Sequence, residues 1–384
     1  MNSILSLFSG GGLLDLGFIN NGFQTELAVE IEQPFIYAYN YGVKNYIDKN
    51  KSALSKYGII HKEIEKPINA SIPYEQRKIA NSFYKITGII GGPPCQDYSI
   101  GGSNQGKSGE RGKLIFSYVS IVRQTQPSFI FFENVSGLLN TKNHQLAFFD
   151  FVSKLEKAGY KIWYEILNSL DYGVPQDRPR IALVGFKKSI VRTMIKNGYK
   201  LVDENNYSDD LVFKWPKKKF INPKSIDWPS QWKFGSGIIN NDISKIPNKY
   251  LKLTVEHAFE GLTNDSPNQK ESFEPYSKKF SQIAEGDTTK KSFKRLHRYR
   301  YSPTVAYGNN EVHLHPTEKR RLTVREALRL QSVPDSYILP SESTLTNKFK
   351  IISNGVPTAK ADLIAKEIKR TLENYRQLGN GYME

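Results

Sequence analysis

A single cysteine, Cys95, occurs among 384 residues, so no internal disulfide can form and the oxidised scaffold of a small secreted domain is excluded. Long apolar runs are also lacking. No stretch approaches the roughly 20 residues that cross a bilayer as a helix, and residues 1–22 carry no basic segment ahead of their apolar positions. These absences predict a protein of the reducing cytoplasm, neither secreted nor inserted in a membrane. Acidic residues are comparatively scarce: 38 Asp and Glu stand against 54 Lys and Arg, for a formal charge of +16. Such an excess suits a polyanionic partner, nucleic acid ahead of an anionic membrane surface, although charge alone leaves a basic protein without either partner an equal alternative. No internal repeat is visible.

Residues 3–8 form a short apolar run that stops at Ser9-Gly10-Gly11-Gly12, and a helix-compatible stretch follows over 13–19. Runs over 25–30, 88–90 and 128–132 read as further strands, ending at Glu30, at Gly91-Gly92-Pro93-Pro94 and at Glu133-Asn134. Helical stretches over 114–123 and 145–158 alternate with them. The fold class is therefore α/β, a mostly parallel sheet with helices on both faces. Two more strands, 162–168 and 180–186, are expected to lie antiparallel to each other. From 187 to about 300 the chain is rich in Lys, Asn, Ser, Trp and Tyr, with many prolines and no sustained periodicity, and reads as a smaller irregular domain. Thr323, with Glu326 three residues on, has the spacing of a capping box for a helix over 323–331, and a last helix is expected over 358–375. The expected division is a catalytic and cofactor-binding domain over 1–186, completed by 345–384, and a small domain over 187–344.

The residues with chemical groups fall at strand ends, where open α/β sheets place their ligands. Glycines after the first strand let a ligand approach the backbone and leave helix-start N–H groups unpaired, though an ordinary tight turn has the same composition. Glu30, ending the second strand, can accept from both hydroxyls of a ribose; a solvated strand end is the alternative. Gly91-Gly92-Pro93-Pro94-Cys95-Gln96 delivers a thiol to the sheet edge ahead of a loop with Gly101, Gly102, Gly106, Gly109 and Gly112. A lone cysteine is usually a small buried hydrophobe, but this is not core composition, and Cys95 reads as a nucleophile. Glu133 emerges from an apolar strand, a setting that favours a protonated carboxyl group and hence a proton donor; a salt-bridged carboxylate is the alternative. Gln176, Arg178 and Arg180 alternate along one extended stretch, so all three share a face. Two guanidinium groups there can hold an anion or hydrogen-bond a base, against the alternative of a plain basic surface.

In wording and order, these residues resemble the C5-cytosine-specific DNA methyltransferases of bacterial restriction-modification systems. The matching motifs are Phe8-Ser9-Gly10, Pro93-Pro94-Cys95-Gln96, Glu133-Asn134-Val135, Gln176-Asp177-Arg178-Pro179-Arg180, Arg321-Leu322-Thr323-Val324-Arg325-Glu326, Arg329-Leu330-Gln331 and Asn354-Gly355-Val356-Pro357. All but the variable middle is covered. The resemblance implies a Rossmann-like sheet that binds S-adenosylmethionine, yielding S-adenosylhomocysteine without a metal, and methylates a cytosine flipped out of duplex DNA. Cys95 would attack carbon 6, Glu133 would protonate ring nitrogen 3, Arg180 would contact the cytosine carbonyl and Arg178 would stand beside it as an electrostatic group.

For the cofactor, the resemblance implies Phe8 and Leu114 on the two adenine faces, Gly10 and Gly12 near the methionine, and Glu30 on the ribose. Ile31, Ser71 and Ile72 would lie beside the nucleoside, and Pro94, Asn354 and Val356 would complete the pocket. Leu13, Ile31, Ser71, Ile351 and Ser353 depart from the family's usual residues, and Leu13 is expected to crowd the cofactor's tail. For DNA it implies a mobile loop with Gln96, Ser99, Ser103 and Arg111, and a target-recognition region over about 187–300. Lys294, Arg295 and Arg298 would be phosphate ligands there, ahead of Lys217-Lys218-Lys219 and Lys290-Lys291. A companion restriction endonuclease and a monomeric enzyme follow from the same resemblance. An RNA cytosine methyltransferase of the same fold and a catalytically silent DNA-binding relative remain as alternatives.

Overall fold

Six apolar runs separated by turns build one sheet: β1 (Asn2–Leu7), β2 (Phe23–Val29), β3 (Gly88–Gly91), β4 (Phe129–Val135), β5 (Tyr160–Asn168) and β6 (Pro179–Lys187). The computed structural model describes residues 2–82, 86–94, 114–202, 208–275, 277–290, 292–305, 307 and 312–380. The spatial order is β2-β1-β3-β4-β6-β5. The strands β1 to β4 pair in parallel, whereas β6 runs antiparallel to both β4 and β5, as expected for the last two runs. From β1 the chain goes outward to β2 and returns to β3 on the other side of β1. The sheet's switch point therefore lies between β1 and β3, where a crevice opens beyond the strand ends.

Strands covered on both faces need apolar residues at odd and even positions alike, which is why β3 and residues 129–132 of β4 read as unbroken apolar runs. One face packs Leu5, Leu7, Ile89 and Phe132 against Tyr118 and Phe151 of the helices Leu114–Thr125 and Lys142–Lys157. The other packs Ile4, Phe129 and Phe131 against Phe18 of helix α1 (Leu13–Asn20) and Ala361, Ile364 and Ile368 of the C-terminal helix (Thr358–Asn380). These two helices approach closely at Gly17, where an added Cβ would stand 2.5 Å from the backbone nitrogen of Asp362.

The sequence reading ends the fourth strand before Glu133, but β4 continues through it: Glu133 sits opposite Ala182 and Val135 opposite Arg180. The count of apolar residues stops too early because β6 offers β4 ladder partners as far as Arg180. Period-2 geometry then assigns Glu133 to the face of Phe129 and Phe131, and Arg180 to the face of Ala182 and Val184, so both side chains lie under the C-terminal helix.

Helix α2 (Gln33–Lys49), which sequence periodicity did not single out, buries Phe35, Tyr39, Val43 and Tyr46 against Leu13, Leu16, Tyr337 and Ile351. After β6, the helix Lys188–Lys196 and Val212, Phe213 and Trp215 return to the Phe129 and Phe186 face. Beyond them short helical turns dominate, with a two-residue ladder of β7 (Lys294–Arg295) and β8 (His313–Leu314). The capping box is present: Thr323 Oγ1 accepts from Glu326 N at 3.1 Å and Thr323 N donates to Glu326 Oε2 at 2.8 Å. Among the described residues no helix is long and apolar enough to cross a membrane.

Candidate active site

A cavity of about 710 Å³ occupies the switch-point crevice, with walls from the ends of β1, β2, β3 and β4 and a lid from residues 353–356. This lies within the roughly 300–1,000 Å³ typical of small-molecule sites. The backbone leaves β1 sharply, with φ of +56° at Phe8 and +55° at Gly10, which turns the Gly10 N–H toward β2. Glu30 meets it there. Its Oε2 accepts from Gly10 N at 2.8 Å, and its Oε1 accepts from Ile31 N at 2.8 Å and Glu32 N at 3.0 Å. Three bonds leave about one of the carboxylate's four acceptor positions for a ligand hydroxyl. The solvated strand end is thereby set aside, since Glu30 is buried and held before any ligand arrives.

Phe8, Gly10, Ile31, Ser71, Pro94, Leu114, Asn354 and Val356 all line this cavity. Gly12 and Ile72 are not among its lining residues. The missing Cβ of Gly12 makes room for α2, because it would stand 2.6 Å from Val43 Cγ2 and 2.9 Å from Tyr39 Cδ2. Ile72 leads into the helix Pro73–Ser82 and is 45% exposed; the wall is formed by Ile68, Asn69 and Ala70 before it. Leu13 is accommodated by Gly355, where a Cβ would meet Leu13 Cδ1 at 2.4 Å. Ile351 similarly covers Gly11, and Tyr337 Oη donates to Gly11 O at 2.7 Å. Tyr337 had no signal in the sequence beyond being aromatic. Its partner lies 326 positions away.

On the opposite wall, the Asn134 side-chain amide donates to Pro93 O at 3.2 Å, anchoring the two-proline turn that precedes Cys95. Cys95 itself, with Gln96, Ser99, Ser103 and Arg111, lies outside the described residues. Glu133 is buried, with Oε1 3.9 Å from Arg180 Nε and 3.9 Å from Lys360 Nζ. Arg180 anchors itself by donating to Pro179 O at 2.9 Å and keeps a side chain 14% accessible in the cavity wall.

The stretch Gln176, Arg178 and Arg180 is not a basic surface. Gln176 is fully buried, donating to Leu330 O at 3.1 Å and accepting from Val305 N at 3.3 Å. Arg178, expected as an electrostatic group beside Arg180, also lines the cavity, but its guanidinium donates to Ser353 O at 3.0 Å, Gly355 O at 2.9 Å and Val305 O at 3.4 Å. It clamps the lid to the sheet.

Of the expected phosphate ligands, Arg295 is an interior group and Arg298 is partly buried. Arg295 is fully buried beneath the Phe234 ring, donating to Ile283 O and Glu318 O at 2.9 Å each and also to His315 O and Phe280 O. Arg298 forms a two-point pair with buried Glu285, at 3.0 and 3.1 Å, and covers the Trp232 ring. A region with little regular structure leaves carbonyls without ladder partners, and one guanidinium with five donors satisfies several of them. Lys294 is half-buried in β7.

The family described as C-5 cytosine-specific DNA methylase matches residues 2–370 of the chain. Type II methyltransferase M.NmeDI of Neisseria meningitidis serogroup C is 41% identical over 383 residues, covering 97% of this chain and 84% of that protein. Type II methyltransferase M.FnuDI of Fusobacterium nucleatum is 30% identical over 381 residues, covering 98% and 96%. Among solved structures, the Dnmt2 methyltransferase of S. pombe superposes with a TM-score of 0.57 at 12% identity, over 97% of this chain and 99% of that one. The methyltransferase EhMeth of Entamoeba histolytica gives 0.54 at 15% identity, over 100% and 99%. At such identities the likeness to the solved structures is one of fold.

Proposed function

The chain belongs to the C-5 cytosine-specific DNA methylase family, and from this premise we propose that it moves a methyl group from S-adenosylmethionine to carbon 5 of a cytosine flipped out of a short duplex sequence. The observation that carries the reading is a single cavity with two walls of different chemistry. One offers a pre-bonded carboxylate beside glycine backbone, suited to a nucleoside. The other pairs buried Glu133 with Arg180 at the foot of the turn that leads to Cys95.

S-adenosylmethionine, when bound, supplies the electrophilic methyl group. Glu30 would accept from a ribose hydroxyl, Phe8 and Leu114 would flank the adenine, and Pro94, Asn354 and Val356 would complete the pocket. Flipping is required because the reacting ring carbons cannot be reached inside the base stack. The Cys95 thiolate bonds to carbon 6 while Glu133 delivers a proton to ring nitrogen 3, and carbon 5 becomes nucleophilic. After methyl transfer a base removes the carbon-5 proton, the sulfur–carbon bond breaks and Cys95 is released. Arg180, held in a low-dielectric wall, hydrogen-bonds the base carbonyl as charge develops. Gln96, Ser99, Ser103 and Arg111 contact the DNA from the loop after Cys95, with Lys294 adding a phosphate contact. The enzyme acts as a cytoplasmic monomer and shields its sites from a companion endonuclease.

The test is transfer of labelled methyl groups to unmethylated duplex DNA and to transfer RNA, with bisulfite sequencing of the product. Cytosine methylation in one short sequence context, abolished by Cys95→Ala, is expected. Activity on RNA alone, or activity that survives Cys95→Ala, would overturn the reading.

A further inference from the structure

Lys360 reaches the catalytic face from the first turn of the C-terminal helix, directly over Glu133. Its side chain is wholly buried, and its Nζ stands 3.9 Å from Glu133 Oε1. Among the described residues, neither of these two atoms has a hydrogen-bond partner. Three features oppose a charged amine here: exclusion from water, the guanidinium groups of Arg180 in β6 and of Arg178 just before it, and the positive end of the helix dipole at its own backbone. Among the described residues, Glu133 of β4 is the one charged neighbour that favours the charge. The acid of α1, Asp15, is bonded to Ser6, Thr25 and Tyr39 instead. Burial, the largest of these influences, brings the Lys360 amine down to about 7.

Stability does not explain a lysine at this place. A buried ion pair can usually be exchanged for apolar side chains without loss, and a helix start is an unfavourable position for a cation. We infer that Lys360 is a positioning residue for the Glu133 carboxyl group, holding the proton that Glu133 passes to ring nitrogen 3 of the cytosine. This rests on the function proposed above. The pair holds one proton between Nζ and Oε1. As sulfur bonds to carbon 6, that one proton passes from Nζ through the Glu133 carboxyl group to nitrogen 3, leaving a Glu133 carboxylate and a neutral amine. On elimination the sulfur–carbon bond breaks and the nitrogen-3 proton returns by the same route, so the pair ends as it began. The one proton released is that from carbon 5. A separation of 3.9 Å is close to hydrogen-bond range, and catalytic contacts commonly tighten only in the substrate complex.

The experiment compares wild type, Lys360→Met and Lys360→Arg in methyl transfer to unmethylated DNA over about pH 6 to 9, reading kcat, KM and Tm. In Lys360→Met, kcat is expected to fall roughly tenfold or more with little change in KM or Tm, and the pH profile to shift. Arg keeps the charge but cannot release a proton, so Lys360→Arg is expected to lose as much. Full recovery by Lys360→Arg would overturn the proton-holding role, and an unchanged kcat and pH profile in Lys360→Met would overturn the whole inference. Should the variants fail to fold, carbon-13 titration of labelled lysines in the wild-type enzyme decides: one lysine titrating near 7 is expected, and none doing so refutes it. A wild-type enzyme that transfers no methyl group refutes the proposed function itself, whereas an active wild type with unaffected variants refutes this inference alone.

Discussion

Replacing Arg178 with methionine keeps much of the side chain's volume while removing the guanidinium that ties residues 353–355 to the segment leading into β6. Two of the hydrogen bonds it donates are short, at 2.9 and 3.0 Å, and another, at 3.4 Å, is marginal. Bonds from a charged donor contribute about 1.5–3 kcal/mol each, and the two short ones therefore total about 3–6 kcal/mol. Relief of guanidinium burial offsets part of this, leaving a net loss on the order of 3–4 kcal/mol. For a protein of this size the melting temperature should fall by roughly 4–5 °C. Because the freed segment carries Asn354 and borders Val356, half of that loss acting on the lid would weaken cofactor binding by roughly tenfold to thirtyfold. Scanning fluorimetry and calorimetric titration with S-adenosylmethionine and S-adenosylhomocysteine measure both. Unchanged Tm and cofactor Kd alongside lost methyl transfer would refute the reasoning and place Arg178 on the substrate.

Arg295→Met should lower Tm while leaving the salt dependence of DNA binding intact; a log–log slope reduced by about one would instead place Arg295 on a phosphate. Gly17→Ala drives a Cβ to 2.5 Å from Asp362 N, a backbone atom that cannot yield like a side-chain tip, so a loss of about 2–3 kcal/mol is expected in urea unfolding. An unchanged midpoint would contradict that close approach. His313 is held neutral by burial, its pKa lowered to about 3, so below its ordinary value of 6.5 the unfolded chain binds a proton that the folded chain refuses. Stability is therefore lost on acidification, by about 2 kcal/mol from this group at pH 5. Asp15, raised to about 6 by burial, acts in the opposite sense, with the folded state taking up the proton first. The difference between the stability–pH curves of wild type and His313→Phe isolates the histidine, and parallel curves would refute its neutral burial.

Strand and helix positions were legible because they depend on local periodicity and on Gly, Pro and Thr at element ends. The run over residues 3–8 and the Thr323 cap needed no distant partner to be read. The end of β4 was misjudged because Glu133 is polar yet belongs to the ladder, a consequence of the length of β6 rather than of its own neighbours. Helix α2 escaped notice because its buried aromatic residues face Tyr337 and Ile351, more than 290 positions later, and the apolar stripe only makes sense with them present.

The site divides in the same way. By itself the sequence determined the family, the order of the motifs and the identity of the groups at the strand ends, since backbone turns and reactive side chains are written locally. Tertiary structure decided what each charged group does. Glu30 was expected to await a ribose and is already held by three N–H groups. Arg178 and Arg295 have similar local signals to Arg180, yet they hold carbonyls as far as 177 positions away. Lys360, silent in the sequence, stands beside Glu133 because a helix from the end of the chain covers that face of the sheet. A charge takes its role from burial and partners, and those come from residues brought together only by folding.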